Sequence, residues 1–319
     1  MEYNKVDTSL DTSQTLTLNA QWNGCLIAAQ DAAGKQSYPT STLYVVATPI
    51  GNLADISLRA LHVLNIVDAI ACEDTRHTQP LLRTYGIGVG SGKPMLAVHQ
   101  HNELEATEQI ISRLQRGARI AFVSDAGTPG VSDPGSKLVA GVREAGYRVV
   151  PLPGASSVTT LLSVAGITQS DHFTFMGFLP NKTMERDATV LKLQAITGSI
   201  VLLEAPHRIE SVAKALGGLG DRLMTIGREL TKQFEEIATF TAVHFSEWLQ
   251  QDSNRLRGEF VLVLHPLTVA AENEDAPRIL KLLLAELPLK TAVKLAADIT
   301  GAPKNALYDA ALRLKEKAL

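Results

Sequence analysis

From Leu43 onward, short apolar runs rich in β-branched residues alternate with stretches of helical spacing, and this alternation constrains the fold more than any other feature. Strands that alternate with helices form βαβ units, which build a mainly parallel sheet covered by helices on both faces. We therefore predict an N-terminal α/β domain over residues 42–165. Its predicted strands are residues 43–47, 69–72, 95–98, 119–123 and 148–150.

The sequence on either side of this domain has a different character. Residues 1–41 are rich in Thr, Ser, Asn, Gln and Asp with weak periodicity, and we predict a poorly ordered extension. Residues 166–268 are strand-dense and less regularly alternating, which predicts a second α/β domain with a mixed sheet. Residues 276–319 predict a helical C-terminal extension of three helices, in which Gly301 and Pro303 separate the last two.

Composition excludes several classes of protein. The chain of 319 residues has only two cysteines, too few for a disulfide framework or a cysteine zinc site. No apolar run approaches the roughly 18 residues of a membrane span, and no signal peptide is visible. We expect a cytoplasmic protein without a membrane segment. His99, His101 and Glu103 lie close together but lack helical His spacing, so we expect no metal.

Charge is unevenly distributed along the chain. The whole chain carries a formal net charge of −3, whereas residues 276–319 contain eight basic and four acidic residues. A basic tail of this kind binds a polyanion or forms a solvated helical surface, and charge alone leaves both interpretations open.

Unusual loops follow four of the predicted strands, and three of them contain Gly and Pro. They are residues 48–53, 73–77, 124–135 and 151–157. Ligands of open α/β sheets bind at the carboxyl ends of the strands, and Gly and Pro allow close backbone approach there. We therefore predict a ligand cleft at this edge.

The known fingerprints of nucleotide and hydrolase sites are absent from these loops. A Walker loop fails because Lys93 is followed by Pro94, and a dinucleotide fingerprint fails because the first loop contains only Gly51. A nucleophile elbow around Ser156 lacks its second glycine, since Val158 stands there. The sequence thus disfavours nucleoside triphosphate, NAD and serine-hydrolase functions.

Charged residues at the strand ends suggest contacts with an anionic substrate. Glu73, Asp74 and Arg76 follow the second strand, where Arg76 is a candidate to clamp phosphate or carboxylate. The alternative is that Asp74 caps a helix and pairs locally with Arg76. Basic residues of the second domain are candidates for phosphate contacts or for plain surface charge: Lys182, Arg186, Arg208 and Lys232.

The motifs together resemble one known family. They are Thr48–Leu53, Glu73–Arg76, Ser124–Gly135, Pro153–Ser157, Glu204–Arg208 and Gly258–Phe260, in that order. From about Leu43 to Leu264 the chain resembles the ribosomal RNA small-subunit methyltransferase I family, within the tetrapyrrole-methylase-like superfamily. Residues 300–308 resemble the C-terminal extension of that family.

The resemblance implies S-adenosylmethionine-dependent 2′-O-methylation of a cytidine ribose in 16S rRNA of the small ribosomal subunit. It also implies two α/β domains, a methyl donor in the cleft between them, and a homodimer. The residues it assigns to the donor are Pro49, Gly127, Thr128, Pro129, Val131, Ser156, Ser157, Ala205 and Gly258. Backbone carbonyls and apolar contacts suit a sulfonium cation, and the bare backbone of the Gly127 loop offers them.

A ribose hydroxyl is a poor nucleophile near neutral pH, so a base or strong orientation must assist it. The candidates are Asp74, Glu73 and Glu204, with Arg76 and Arg208 holding phosphate or ribose. Residues 290–314 suggest a helix-turn-helix that holds RNA, or a packed hairpin that serves only stability. Two other functions stay open, methylation of a tetrapyrrole or another small molecule and a non-catalytic RNA-binding role in assembly.

Overall fold

The computed structural model describes residues 24–88, 92–99, 102–168, 172–267, 275–302 and 304–316. The chain divides into two compact units, Met1–His265 and Pro266–Leu319. Within the first unit the strands form two five-stranded sheets.

The first sheet is entirely parallel. Its strands are β1 (Thr42–Val46), β2 (Ala69–Cys72), β3 (Met95–Ala97), β4 (Arg119–Val123) and β5 (Arg148–Leu152), in the spatial order β3-β2-β4-β1-β5. The central strands β1 and β4 are apolar after their first residues, Thr42 and Arg119, as expected of strands that helices bury on both faces. All carboxyl ends therefore meet at one edge of the sheet.

Five helices cover this sheet. They are α1 (residues 24–33), α2 (Leu58–Ile66), α3 (Thr75–Thr84), α4 (Glu103–Gln115) and α5 (Ser136–Glu144). The first three pack on one face, where Leu64 and Leu82 join Tyr44. The other two pack on the opposite face, where Ile110 and Val142 join strand residues. This confirms the predicted α/β fold with helices on both faces.

The prediction of a poorly ordered extension over residues 1–41 is wrong for its last part. Residues 24–33 are helical, and the fully buried Ala29 belongs to a core cluster of the first sheet. The guanidinium Nε of Arg119 donates to the Tyr38 carbonyl at 2.8 Å. Residues 24–33 contain several alanines, whose small side chains allow α1 to pack closely. The polar composition of residues 1–41 as a whole does not reveal this helix. Residues 1–23 lie outside the described ranges.

The second sheet is mixed, as predicted. Its strands are β6 (Phe173–Phe178), β7 (Ser199–Glu204), β8 (Leu223–Arg228), β9 (Glu236–Thr241) and β10 (Phe260–Leu264), in the order β6-β7-β10-β8-β9. The β6–β7 pair is parallel and the other pairs are antiparallel. One face is covered by α7 (Thr183–Leu193), α8 (Ile209–Leu216) and α9 (Phe245–Gln250).

The other face of the second sheet is covered by α6 (Ser157–Val164), which follows the last strand of the first sheet. Val158 and Leu161 are buried in one cluster with strand residues Val201 and Val263. The change from one sheet to the other thus comes before α6, whereas the sequence predicted a boundary after residue 165. Short 3₁₀ helices occupy Leu53–Asp55, Pro206–Arg208, Gly217–Leu219, Ala242–His244 and Ser253–Leu256.

The second unit consists of α10 (Asp275–Glu286), α11 (Leu289–Thr300) and α12 (Lys304–Glu316). These helices have their own core, which includes the buried Leu280, Ala296 and Leu307. Gly301 ends α11 with φ +70°, a left-handed conformation that glycine adopts without a steric penalty. The predicted C-terminal helices agree with these elements.

Candidate active site

The loops that follow β1, β4 and β5 contact one another at the carboxyl edge of the first sheet. The backbone N–H of Thr48 donates to the Gly127 carbonyl at 2.9 Å, and the Gly127 N–H donates back at 3.1 Å. The Thr128 hydroxyl donates to the Ala155 carbonyl at 3.0 Å. These bonds hold the loops as one surface.

Between this surface and the second sheet lies a cleft of about 370 Å³. The first sheet contributes Ile50, Glu73, Asp125–Thr128, Val131–Asp133 and Ser156–Val158. The second sheet contributes Phe178, Leu203–Pro206, Leu230 and Glu259–Val261. The cleft therefore lies where the loop pattern predicts a ligand.

Six of the nine residues that the sequence assigned to the methyl donor line the cleft: Gly127, Thr128, Val131, Ser156, Ser157 and Ala205. Pro49, Pro129 and Gly258 are not among the lining residues. Their neighbours Ile50, Thr128 and Glu259 are. Gly258 has φ +90°, and a Cβ there would collide with the Glu229 side chain, so this glycine serves local packing.

Gly127 lines the cleft and has no side chain. Its φ is +78°, which L side chains rarely adopt, and a Cβ would lie 3.2 Å from Cγ2 of Ile50. A side chain at this position would be strained and would occupy cleft space. The glycine thus keeps this part of the cleft free of a side chain, while its own N–H and carbonyl bind Thr48.

Five carboxylates line the cleft: Glu73, Asp125, Asp133, Glu204 and Glu259. Among the described residues that line it, none is Lys, Arg or His. A cleft with this charge favours a cationic ligand and repels phosphate. Sequence reasoning missed the roles of Asp125, Asp133 and Glu259, although the first two stand within the loop that it singled out.

Two carboxyl groups that the first sheet contributes to the cleft, those of Glu73 and Asp133, have raised pKa values. Burial, followed by the negative charge of Glu73, raises the pKa of Asp133 to about 6. Burial is also the main cause that raises the pKa of Glu73, and the charge of Asp125 adds to it. Crowding of carboxylates in a partly buried cleft therefore disfavours the fully ionised state.

Asp74 and Arg76 do not line the cleft, and their geometry disagrees with a catalytic role. Asp74 is the N-cap of α3, where its Oδ1 accepts from the Arg76 N–H at 2.8 Å. The largely exposed Arg76 guanidinium pairs with the same carboxylate at 2.6 Å and holds the pKa of Asp74 at about 2. A carboxylate with so low a pKa is a poor base. The structure therefore agrees with the alternative in which Asp74 caps a helix and pairs locally with Arg76.

Asp125 connects the loops after β2 and β4. Its Oδ2 lies 2.9 Å from Nδ1 of His77, and its Oδ1 accepts from the Asp74 backbone N–H at 3.2 Å. His77 was not assigned a role from the sequence. These contacts fix the Glu73 segment against the loop that contains Gly127.

Glu204 is the last residue of β7 and is only 3% exposed. Its Oε1 accepts from the Ala205 N–H at 2.8 Å and pairs with Nε of Arg208 at 3.2 Å. Burial raises its pKa, and the Ala205 hydrogen bond and the Arg208 charge oppose that effect. Arg208 also donates to the Leu179 carbonyl at 2.5 Å, so it is engaged inside the protein.

The other basic candidates of the second domain differ in their availability. Arg186 is buried and donates to the Asn181 carbonyl, which disagrees with a contact to substrate phosphate. Lys232 pairs with Glu229 at 2.9 Å and with Glu259 at 3.1 Å. Lys182 is 80% exposed and pairs only at the surface with Glu185, so it alone of these remains open to a large anion.

Within the described ranges, no group of three or more His, Cys, Asp or Glu side chains is arranged to hold a metal ion. His101, part of the cluster considered in the sequence, lies outside those ranges. Glu103 of the same cluster accepts from the backbone N–H groups of Gly135 and Lys137, both at 3.0 Å, and thereby orders the start of α5. No helix in the described part is long and apolar enough to cross a membrane.

Comparison with known protein families gives two matches. Residues 42–244 match the family described as Tetrapyrrole (Corrin/Porphyrin) Methylases. Residues 270–315 match the RsmI C-terminal HTH domain. The two matches correspond in sequence to the sheet-containing part of the chain and to its C-terminal helices.

Curated relatives align over most of the chain. The Ribosomal RNA small subunit methyltransferase I of Neisseria meningitidis serogroup B is 49% identical over 280 residues, which cover 86% of this chain and 94% of that protein. The proteins of the same name from Escherichia coli O157:H7 and Pseudomonas aeruginosa are 47% and 46% identical, over 85% and 87% of this chain and 94% and 99% of their own lengths.

Two solved structures share the fold. Cobalt precorrin-4 methyltransferase CbiF, a cobalamin biosynthetic enzyme, has a TM-score of 0.53 at 16% identity, and covers 70% of this chain and 94% of its own. The methyltransferase CobJ has a TM-score of 0.52 at 16% identity, with the same coverage. At this identity the likeness concerns the fold alone.

Proposed function

The chain belongs to the ribosomal RNA small subunit methyltransferase I family, whose methyl donor is S-adenosylmethionine, and we propose that it methylates the 2′-oxygen of a cytidine ribose in 16S rRNA. The observation that carries the proposal is the cleft itself. It has a glycine without a side chain at Gly127, five carboxylates and no basic lining side chain among the described residues. This chemistry suits a cationic donor.

The residues present fit the donor. Gly127, Thr128, Val131, Ser156, Ser157 and Ala205 would hold it, since they line the cleft. When bound, S-adenosylmethionine supplies an electrophilic methyl group on a positively charged sulfur. The carboxylates of Glu73 and Asp133 contribute negative potential to the same space, and Ile50 and Leu230 exclude water from it.

The RNA backbone must lie outside the acidic cleft, because phosphates would be repelled there. Exposed basic side chains are available elsewhere, at Arg76 and Lys182 and at Lys290, Lys294 and Lys304 of the C-terminal helices. We infer that these residues contact phosphates, while a ribose reaches the cleft.

We also propose that the protein acts in the cytoplasm as a homodimer. The family resemblance supports the dimer. An apolar strand edge supports it as well, because β6 is an edge strand that exposes Phe173 and Met176.

The test is methyl transfer from radiolabelled S-adenosylmethionine into small ribosomal subunits from a strain that lacks this protein. We expect label on one cytidine ribose of 16S rRNA, mapped by nuclease digestion. Donor binding without any label on the subunits would contradict the rRNA substrate and redirect the search to small molecules. Absence of donor binding in calorimetry would contradict the enzymatic function altogether.

A further inference from the structure

One carboxylate oxygen in the cleft wall lacks a partner. Oε2 of Glu204 is buried and has no hydrogen-bond partner among the described residues, whereas Oε1 is held by Ala205 and Arg208. An unsatisfied buried carboxylate oxygen is costly, and native proteins satisfy nearly all such atoms. Because Glu204 lines the cleft, a donor group that enters the cleft can complete this hydrogen bond.

Two of the other carboxylates of the cleft are engaged by the protein. Asp125 is held by His77 and the Asp74 N–H, and Glu259 by Lys232. Among the buried side-chain oxygens of the described residues, none that belongs to Glu73, Asp125, Asp133 or Glu259 is left without a partner. Glu204 thus differs from the other lining carboxylates because one of its oxygens is buried and has no partner.

We propose that Glu204 is the catalytic base of the methyl transfer, with Oε2 accepting the hydrogen bond and then the proton of the ribose 2′-hydroxyl. This inference rests on the proposed function. In the balanced step the hydroxyl oxygen forms a bond to the methyl carbon and its proton moves to Oε2, while the electron pair of the broken carbon–sulfur bond stays on sulfur. No further reactant is required.

Arg208 is the positioning residue for this base. Its Nε holds Oε1 at 3.2 Å, and its terminal nitrogen is fixed by the Leu179 carbonyl at 2.5 Å. Because the guanidinium is itself held by a backbone carbonyl, Arg208 restrains the position of Oε1 and leaves Oε2 to a partner from outside the protein.

The environment of Glu204 shifts its pKa in the direction that favours action as a base. Burial raises the pKa of Glu204, which brings it closer to neutral pH and makes the carboxylate a stronger base. The groups that oppose this rise are the Ala205 N–H and the positive charges of Arg208, His207 and Arg186. The net shift of the Glu204 pKa is upward, so activity that needs the ionised carboxylate should be lost on acidification.

The decisive variant is Glu204→Gln in the full-length chain, which retains the size of the side chain and removes the base. We expect kcat on small subunits to fall about 10²- to 10⁴-fold, the usual contribution of a general base. The Kd for S-adenosylmethionine, measured by calorimetry, should change less than about threefold. The exposed Glu210, on α8, gives the matched control Glu210→Gln, which should leave kcat unchanged.

Three outcomes overturn the proposal. If kcat of Glu204→Gln stays within about threefold of wild type, no proton passes to this residue. If the variant instead loses donor affinity by more than tenfold, Oε2 binds the donor and is not the base. If the wild-type chain transfers no methyl group to RNA, the proposed function fails and the role of Glu204 fails with it.

The pH dependence of kcat tests the positioning role of Arg208. Removal of its positive charge raises the pKa of Glu204 further, so Arg208→Gln should move the acidic limb of the kcat profile to higher pH. Arg208→Lys retains the charge and should restore the midpoint. A residue with a merely structural role would lower kcat without moving that midpoint, and this result would overturn the assignment.

Discussion

Asp133 lies in the cleft wall, where burial and the charges of Glu73, Asp125 and Glu259 raise its pKa from 3.8 to about 6. A carboxyl whose pKa is raised on folding binds more protons in the folded state than in the unfolded state between these values. The free energy of unfolding therefore decreases as pH rises from about 4 to 6. The charge of Asp133 therefore costs stability at neutral pH and adds negative potential to the cleft.

Replacement of Asp133 by Asn removes this cost. We expect Asp133→Asn to raise the free energy of unfolding at pH 7.5 by about 1–3 kcal/mol, since each unit of pKa shift corresponds to roughly 1.4 kcal/mol. The gain should vanish below about pH 4, where the wild-type carboxyl is protonated in both states. Urea unfolding of wild type and variant at pH 7.5 and below about pH 4 measures this difference in the free energy of unfolding.

The same variant should bind S-adenosylmethionine several-fold more weakly at pH 7.5, because the cleft loses one negative charge. The exposed Asp55 provides the control, and Asp55→Asn should change neither quantity. A variant that is less stable than wild type at pH 7.5 would contradict the electrostatic account of Asp133.

Gly127 and Gly130 form a matched pair of glycines in one loop. Their φ angles are +78° and +80°, so an alanine at either position carries a similar backbone strain of about 1–2 kcal/mol, and only at Gly127 does the added Cβ also approach Ile50 Cγ2, at 3.2 Å. Only Gly127 lines the cleft. We expect Gly127→Ala to lower donor affinity more than tenfold in calorimetry and Gly130→Ala to lower it less than threefold. Equal losses of donor affinity in the two variants would show that backbone strain, and not the added side chain in the cleft, causes the loss.

At the scale of elements, α6 joins the two sheets. It begins at Ser156 and Ser157 in the cleft and packs its apolar side against the second sheet through the fully buried Leu161. The side chain of Leu161 also lies where a Cβ of Gly227 would be, so strand and helix are in close contact. A substitution that weakens the packing of α6 on the second sheet should therefore also lower donor affinity.

We expect Leu161→Ala to destabilise the protein by about 2–5 kcal/mol, the usual cost of a cavity left by a buried leucine. Its donor affinity should also fall, since the start of α6 lines the cleft. Thermal and urea unfolding measure the first effect and calorimetry the second. Leu191→Ala is the control, because Leu191 is 65% exposed on α7 and should change stability by less than about 0.5 kcal/mol. A loss of stability with full donor affinity would contradict the coupling.

The elements that sequence reasoning did not predict share a physical cause. Helix α6 contains Val158, Thr159 and Thr160, which have low helix propensity, and it forms because packing on the second sheet stabilises it. Helix α9 has only six residues. By contrast, the central strands β1 and β4 of the first sheet are apolar runs after their first residue, a pattern that local sequence alone specifies.

At the scale of the whole molecule, the sequence predicted where the cleft lies but not which acids act in it. Four loops at the ends of parallel strands must meet at one edge, so the position of the cleft follows from topology. Roles depend instead on burial and hydrogen bonding. Asp74 and Glu204 were equal candidates in the sequence, yet the first caps a helix and the second is buried in the cleft wall.

The C-terminal unit differs in charge from the lining of the cleft. Its net charge over residues 276–319 is +4, whereas the lining of the cleft, which lies wholly in the first unit, is acidic. Lys290, Lys294 and Lys304 are exposed, and residues 270–315 match a helix-turn-helix family. Neutralisation of these lysines should therefore affect RNA binding and leave donor binding intact.

We expect the triple variant Lys290→Gln/Lys294→Gln/Lys304→Gln to bind small subunits more weakly and with a shallower dependence of affinity on salt. Each lost phosphate contact on a single strand reduces the slope of log K against log salt by about 0.7, so three contacts reduce it by about two. The control replaces three exposed lysines of the first unit: Lys35, Lys192 and Lys214. An unchanged slope in the triple variant would mean that the C-terminal helices serve packing alone. A slope reduced equally in both variants would mean that charge at any exposed site is sufficient, and only a selective reduction assigns RNA contact to this unit.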